Sequence, residues 1–327
     1  MSSPSSPPSP SPDRFESICT DFVDTIREAV VAEREFLETV LTGVVAGGHV
    51  LIEDVPGTGK TLTARLFAEA LGLSFSRIQF TPDLLPADVT GSHVFDERAR
   101  EFEFQRGPIF GNVVLADEVN RAPPKTQSAL LEAMEEGQVT VDGETRALPE
   151  PFFVVATANP VEQAGTFPLP EAQRDRFVLT ASMGYPDRDG ELELLERRAN
   201  RTTPSATVER VVDGSTLSAL LRHPESVTVE GRIREYIVDL ARATRTDGRV
   251  EIGVSPRGVQ RLFEATRARA TIRGRDYAVP DDVKRLAVPV LRHRLALAPE
   301  ATVRGDDGAA VVGDLLDDLE VPAVTSR

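Results

Sequence analysis

Between about Phe15 and Ala46 apolar residues recur at helical spacing, as Ile18, Phe22, Ile26 and Val30 and then as Phe36, Leu37, Val40, Leu41 and Val44. The spacing predicts two helices, the second ended by Gly47-Gly48. His49-Val50-Leu51-Ile52-Glu53 is a short apolar run of strand character that leads directly into Pro56-Gly57-Thr58-Gly59-Lys60-Thr61. Helical spacing then resumes through Leu62, Leu66, Ala68 and Leu71. Further strands are predicted at Phe75–Phe80, Asn112–Ala116 and Phe152–Thr157, with helical stretches between them, the alternation that builds a parallel α/β sheet. Gln138 to Leu148 alternates around Asp142-Gly143, which predicts a hairpin on a type I′ turn. Beyond Pro186 helical periodicity dominates, over Gly190–Asn200, Ser215–Leu221, Gly231–Thr244, Pro256–Ile272 and Asp281–His293.

The pattern divides the chain into an α/β core over residues 13–186 and a small all-helical domain over 187–300. Residues 1–12, almost all Ser and Pro, cannot bury enough apolar surface to offset chain entropy and are expected to be disordered. The acidic segment 301–327 is weakly patterned. A length of 327 residues suits two domains, and 40% hydrophobic residues suffice for both cores. No apolar run approaches the roughly 18 residues that span a bilayer, and no charged segment precedes an apolar one at the N-terminus, so a cytoplasmic protein without membrane insertion is expected. The single cysteine, Cys19, excludes an intramolecular disulfide and reads as a small hydrophobe.

Charge narrows the picture. The net charge of -15 arises from 52 acidic and 37 basic residues, and only Lys60, Lys125 and Lys284 are lysines. Such a surface suits a high-salt cytosol, as in a halophilic archaeon, although a high-GC genome also depletes lysine. Either way the chain is a poor non-specific partner for phosphate backbones, and nucleic acid is not expected as a ligand.

The chemistry-bearing residues fall at the predicted strand ends. Asp54 to Thr61 closes as Gly59-Lys60-Thr61, the business end of a phosphate-binding loop, with Asp54 where the general pattern has its first glycine. In the loop that Pro56 opens, backbone N–H groups from Gly57, Thr58 and Gly59 into Leu62 would converge on phosphates, Lys60 would neutralise the β/γ oxygens and Thr61 would ligate Mg²⁺. An ordinary turn before a helix accounts for the glycines but not for the apolar strand before them. Asn112 to Ala116 ends in Asp117-Glu118. There Asp117 would hold Mg²⁺ through its water shell, and Glu118 would orient and deprotonate an attacking water. A solvated acidic turn explains Asp-Glu alone, but not Asp-Glu following such a loop. Asn159 is the next polar residue at a strand end, placed by adjacent parallel strands beside the γ-phosphate. Leu169 to Phe177 reads as a helix carrying Arg174 and Arg176, and Ser255-Pro256-Arg257 opens a helix of the second domain.

These stretches together resemble a MoxR-type AAA+ ATPase from about residue 15 to 300. The resemblance rests on Glu53 to Thr61, Ala116-Asp117-Glu118-Val119-Asn120-Arg121-Ala122, Pro168-Leu169-Pro170-Glu171-Ala172-Gln173, Gly253-Val254-Ser255-Pro256-Arg257 and Gly274-Arg275-Asp276-Tyr277. It implies a P-loop NTPase AAA+ core, a parallel sheet flanked by helices, followed by a helical lid, with ATP and Mg²⁺ as cofactors. Lys60 and Thr61 would then be Walker A residues, Asp117 and Glu118 Walker B, Asn159 sensor 1, Arg176 the arginine finger and Arg257 sensor 2. Asp54 matches an acidic residue common in the family. Arg174 stands where leucine is usual and competes for the finger role, while Arg176 matches the family's Asp-Arg-Phe. Val30-Val31-Ala32-Glu33 departs from the family's adenine-side segment, which leaves the adenine contacts open.

By the same resemblance, Thr81 to Val89 is similar to the helix-2 insert region and Gln138 to Leu148 to the hairpin before sensor 1, loops that face the pore of a ring; ordinary surface excursions would look alike. The family implies a homo-oligomer, expected to be a hexamer, that remodels a protein client, with a von Willebrand factor A domain protein as the implied partner. A nucleotide-dependent switch or scaffold with slow turnover is the alternative. A nucleic-acid motor is disfavoured by the hairpin tip Asp142-Gly143-Glu144, where Arg146 is the only nearby cation.

Overall fold

The computed structural model of the protein describes residues 11–159, 167, 169–203 and 205–323. The Ser/Pro-rich residues up to 10, together with Pro168 of the motifs above and Pro160 after Asn159, lie outside the described residues. The two amphipathic stretches form α1 (Pro12–Ala29) and α2 (Arg34–Val45). Cys19 is buried on the inner face of α1, and that burial, then the Glu16 carboxylate, pushes its thiol up to about 12. Next come β1 (His49–Glu53), α3 (Lys60–Leu71) and β2 (Phe75–Gln79).

Where helix was expected before the next core strand, the structure has only α4 (Pro86–Thr90) and then an antiparallel hairpin, β3 (Gly91–Asp96) and β4 (Glu101–Arg106). The Asp96 carboxylate accepts from the backbone of Arg98 and Ala99, and Arg100 takes a φ of 55°, which turns the chain without a glycine. Then follow β5 (Val113–Asp117), α5 (Pro124–Glu136), the expected hairpin β6 (Gln138–Val141) and β7 (Glu144–Ala147), and β8 (Phe153–Ala158). Asp142 and Gly143 both have positive φ, as a type I′ turn requires.

Residues 169–177 were expected to be helical. Only one turn, α6 (Glu171–Arg174), forms, and Phe177 instead opens a core strand, β9 (Phe177–Ala181). Every residue of β9 is buried, so it has no polar face and lacks the alternation that marks a half-exposed strand. The second half is helical: α7 (Arg188–Asn200), α8 (Gly214–Arg222), α9 (Gly231–Thr244), α10 (Pro256–Ile272) and α11 (Pro280–Leu291). The weakly patterned acidic segment also folds, into α12 (Pro299–Arg304) and α13 (Gly308–Asp318), with Val311 and Val312 fully buried and Asp307 capping α13. None of the helices among the described residues is long and apolar enough to cross a membrane.

Among the described residues, five strands form one parallel sheet in the order β2-β5-β8-β1-β9. Successive residues point to opposite faces, so each strand feeds two cores. Val50, Ile52, Val113, Leu115 and Leu179 pack against α1–α3 in a cluster that runs on into Ile233, Leu240, Leu262, Leu286 and Val290 of the helical half. Leu51, Val114, Ala116, Val154 and Phe177 pack on the other face with α5.

His49, at the start of β1, is buried between that helix and β8. Its Nδ1 accepts from Val154 N at 3.0 Å and its Nε2 lies 2.9 Å from Met134 O, so the ring is neutral with the proton on Nε2. Burial lowers its pKa to about 4. A histidine depressed in the folded state takes up its proton more readily when unfolded, so its share of stability is intact above pH 6.5 and is lost as pH falls toward 4. Urea denaturation should show a loss of about 2 kcal/mol from this group between pH 7 and pH 5, absent in His49→Asn; equal pH sensitivity in both proteins would contradict the assignment.

Candidate functional site

The parallel sheet has one edge where all five strands end. Glu53 of β1 pairs with Ala158 of β8, and Gln79 of β2 with Asp117 of β5, so the loops after β1, β5 and β8 leave side by side. Such an edge is the usual binding crevice of an open α/β sheet. After β1 the chain turns through Gly57 and Gly59, with φ of 87° and 99°, and enters α3 at Lys60. No atom lies within 4 Å of where a Gly57 Cβ would stand, so the demand there is on backbone conformation rather than space. The hydroxyl oxygen of Thr58 is buried without a hydrogen-bond partner, an orphan polar atom where a phosphate oxygen would be received. Lys60 is buried and donates to Asp54 O at 2.8 Å and Val55 O at 3.0 Å. Burial lowers its pKa, opposed by the carboxylates of Asp54, Asp117 and Glu118. Pro56 and Leu62 flank the turn in loop and helix as predicted.

Asp117 ends β5, 3.5 Å from Thr61 Oγ1 through its Oδ2. That same oxygen receives the Arg77 guanidinium at 2.7 Å, so the point already attracts a cation. A hydroxyl and a carboxylate are hard oxygen donors, and together with phosphate oxygens and water they fit Mg²⁺. Glu118 follows with a φ of 57°, which turns its side chain away from the strand. It accepts from Gln79 Nε2 at 3.0 Å and pairs with Arg121 at 3.2 Å. Asn159 is buried at the end of β8, between β5 and β1.

Two parts of this edge escaped the sequence. Thr157 donates to Asp117 Oδ1 at 2.6 Å and accepts from Glu118 N at 2.8 Å, tying both acidic residues to β8; its position two residues before Asn159, on the same side of a strand, was the available signal. A cleft of about 280 Å³ lies between the α1–α2 loop, Val30 to Glu33, and the exit of β9, Met183 to Pro186. Met183 and Val30 stand 3.6 and 3.8 Å from where a Gly59 Cβ would be, so the cleft adjoins the phosphate loop. Asp54, buried, joins the two by accepting from Met183 N at 2.7 Å and Gly184 N at 2.8 Å. This brace explains an acidic residue where a glycine is usual.

The predicted arginines lie at the opposite edge. Arg176 directly precedes β9, whose first residue pairs with His49 at the start of β1. A five-residue strand, roughly 16 Å long, separates it from the edge that carries the loop. Arg176 pairs with Glu135 at 3.1 Å, and Arg257, at the start of α10, pairs with the same carboxylate at 3.2 Å and with Asp175 at 3.7 Å. The structure therefore brings Arg257 to Arg176, not to the Lys60 loop of its own chain. Arg174 has its Nε buried without a hydrogen-bond partner, whereas Arg176 lines an open cleft with Gln173 and Ser128.

Residues 49–179 match the ATPase family associated with various cellular activities (AAA), and residues 242–315 match the AAA lid domain. YeaC of Bacillus subtilis, an uncharacterised protein, is 48% identical over 93% of this chain and 95% of its own length. The protein named Chaperone MoxR1 of Mycobacterium tuberculosis is 39% identical over 92% of this chain and 81% of its own length. The chain belongs to the MoxR family of AAA ATPases. A crystal structure from Cytophaga hutchinsonii, described as that of an ATPase, is similar with a TM-score of 0.88 at 36% identity, covering 95% of this chain and 97% of that one. These relatives lend no support to the high-salt, archaeal reading of the composition.

Membership in this MoxR family brings nucleotide binding and ATPase chemistry with it at the level of the family. Within it, Thr157 is the residue on which this chain's acidic pair depends. Thr157→Val preserves shape but leaves Asp117 Oδ1 and Glu118 N short of a partner, and should cost about 1–3 kcal/mol in urea denaturation. Thr157→Ser should cost little; equal loss in both variants would show that packing, not the hydroxyl, matters.

Proposed function

We propose that this MoxR-family protein binds ATP with Mg²⁺ and hydrolyses it in a cytoplasmic ring of its own copies, a homohexamer, to remodel a protein client. The observation that carries the reading is the split between the two sheet edges. The phosphate loop and acidic pair sit at one edge, while Arg176 and Arg257 sit together at the other, out of reach of their own loop. A second copy set head to tail beside the first, its arginine edge against the first copy's loop edge, would bring them into register.

In this reading Lys60 and the loop N–H groups hold the phosphates, and the cleft beside Val30 and Met183 takes the base. Thr61 and Asp117 would hold Mg²⁺, which when bound neutralises charge on the phosphoryl oxygens. Glu118 takes the proton of the attacking water, with Gln79 and Arg121 setting the direction of its carboxylate. Asn159 orients that water from β8. Arg176, with Arg257 beside it, stabilises the charge that develops on the neighbour's γ-phosphate, an effect worth about 10³ to 10⁵ in rate for related enzymes. The helical half from about residue 187, the lid, shares a continuous apolar cluster with the core, so a change at the nucleotide can be passed to the lid through packing.

A protein client fits the hairpins better than nucleic acid does. Phe95 and Phe102 are exposed and paired on the β3–β4 hairpin with ring centroids 5.3 Å apart. That hairpin is joined to β6–β7 by His93 and Asp142 at 2.8 Å. Arg146 pairs with Glu144 at 2.5 Å and lies 4.0 Å over the Phe104 ring, so the tip's cation is already engaged. A von Willebrand factor A domain protein is the client class implied by the resemblance. Against the alternative of a switch with slow turnover stands the retained carboxylate of Glu118, which a pure switch does not need.

ATP turnover measured against protein concentration tests the reading. Turnover per subunit should rise cooperatively with concentration and fall at least about 10³-fold in Arg176→Ala and in Glu118→Gln. Turnover that ignores concentration and survives Arg176→Ala would leave a nucleotide-gated binding protein as the better account.

A further inference from the structure

Arg294 follows α11 in the helical half, and its side chain is only 2% exposed. A buried guanidinium needs partners for five N–H groups, and every partner here bears on the Arg176 segment or on the lid's own turn. Nε donates to Asp175 Oδ1 at 2.7 Å, and Nη2 donates to Asp175 O at 3.2 Å and to Phe177 O at 2.7 Å. One nitrogen thus holds the carbonyls on both sides of Arg176. Nη1 donates to Val178 O at 3.3 Å, to Val290 O, and to His293 Nε2 at 2.8 Å. The same side chain lies under the start of α10: a Cβ on Gly258, next to Arg257, would stand 3.0 Å from Arg294 Cδ. Asp175 in turn faces both Arg294 and Arg257, and Glu135 faces both Arg257 and Arg176. The charges alternate as Arg294, Asp175, Arg257, Glu135, Arg176, so the geometry of the two half-buried arginines is fixed from the fully buried one.

We propose that Arg294 is a positioning residue for the arginines offered to a neighbouring copy: it clamps the backbone around Arg176 and seats Arg257, and so makes that pair's reach depend on the lid. The proposal rests on the reading that Arg176 acts on a neighbour's ATP. Its signature is a defect in what a subunit gives, with no defect in the site the subunit keeps. Misplacement of a reacting group by about 1 Å can cost 10²-fold. Arg294→Met should therefore lower turnover about 10- to 100-fold with ring assembly and the affinity for a non-hydrolysable ATP analogue unchanged.

The deciding experiment mixes subunits. Glu118→Gln subunits keep wild-type arginines but cannot activate water. Mixed with Arg176→Ala subunits, they should restore turnover at interfaces where an intact water-activating site meets an intact arginine pair, and mixed with Arg294→Met they should do the same. Rescue of both variants supports the proposal. Rescue of Arg176→Ala without rescue of Arg294→Met means that Arg294 is needed within its own subunit, which overturns the proposal and spares the ring reading. Rescue of neither removes the ring reading and the proposal together, and wild-type turnover in Arg294→Met overturns the proposal alone. Should Arg294→Met fail to fold, Arg294→Lys replaces it in the same mixture: it keeps the buried charge but lacks the fork that reaches Asp175 O and Phe177 O together, and it must show the same rescue pattern in milder form, wild-type turnover or failed rescue again overturning the proposal.

Discussion

In a sheet whose strands all run one way, whatever precedes a strand and whatever follows it come to rest on opposite edges, and most of this protein's chemistry depends on that constraint. The loop with Lys60 follows β1, and Asp117, Glu118 and Asn159 follow β5 and β8, so hydrogen-bond register alone brings them together. Arg176 precedes β9 and is carried to the other side, where α5 delivers Glu135 and the lid delivers Arg257 and Arg294. One chain therefore builds two half-sites that face away from each other. The proposal of a ring rests on this separation, since a neighbour's arginines would supply what the loop edge of one chain does not hold.

Each half-site is held by partners that remove freedom from the groups that act. Thr157 binds Asp117 and the backbone of Glu118, Gln79 and Arg121 hold the Glu118 carboxylate, and Asp54 fastens the phosphate loop to the exit of β9. On the far edge an alternation of carboxylates and guanidiniums does the same for the arginines. Asp54, Lys60, Asp117 and Arg294, buried at the two edges, are each hydrogen-bonded, as the cost of isolating a charge in a core demands. Continuity of the apolar cluster from α1–α3 into α9–α11 links the halves mechanically, so nucleotide and lid can influence each other through packing.

Local chemistry was legible in the sequence wherever a backbone requirement left a mark. The glycines of the phosphate loop, the Asp-Gly of the β6–β7 turn and the apolar runs of β1, β5 and β8 each record a constraint on φ or on burial. β9 left no such mark, because a strand buried on both faces lacks alternation and its short run followed a single turn of helix. The β3–β4 hairpin turns at Arg98 to Arg100 on an aspartate cap without glycine or proline, so its punctuation was silent. Thr157, Arg77 and Arg294 act through partners 40 to 119 residues away in sequence, a distance at which pattern carries no information. The placement of Arg257 is of the same kind: its motif was visible, but which edge it would reach depended on how the lid folds back over α5.

The central claim, that each ATP is completed by the arginines of another subunit, can be seen directly. The measurement is the structure of the Glu118→Gln protein assembled with ATP and Mg²⁺. The account predicts a closed ring in which the guanidinium of Arg176 from one subunit lies within hydrogen-bond reach of the γ-phosphate held by Lys60 of the next. A γ-phosphate met only by groups of its own chain, with Arg176 still paired to Glu135, would contradict it.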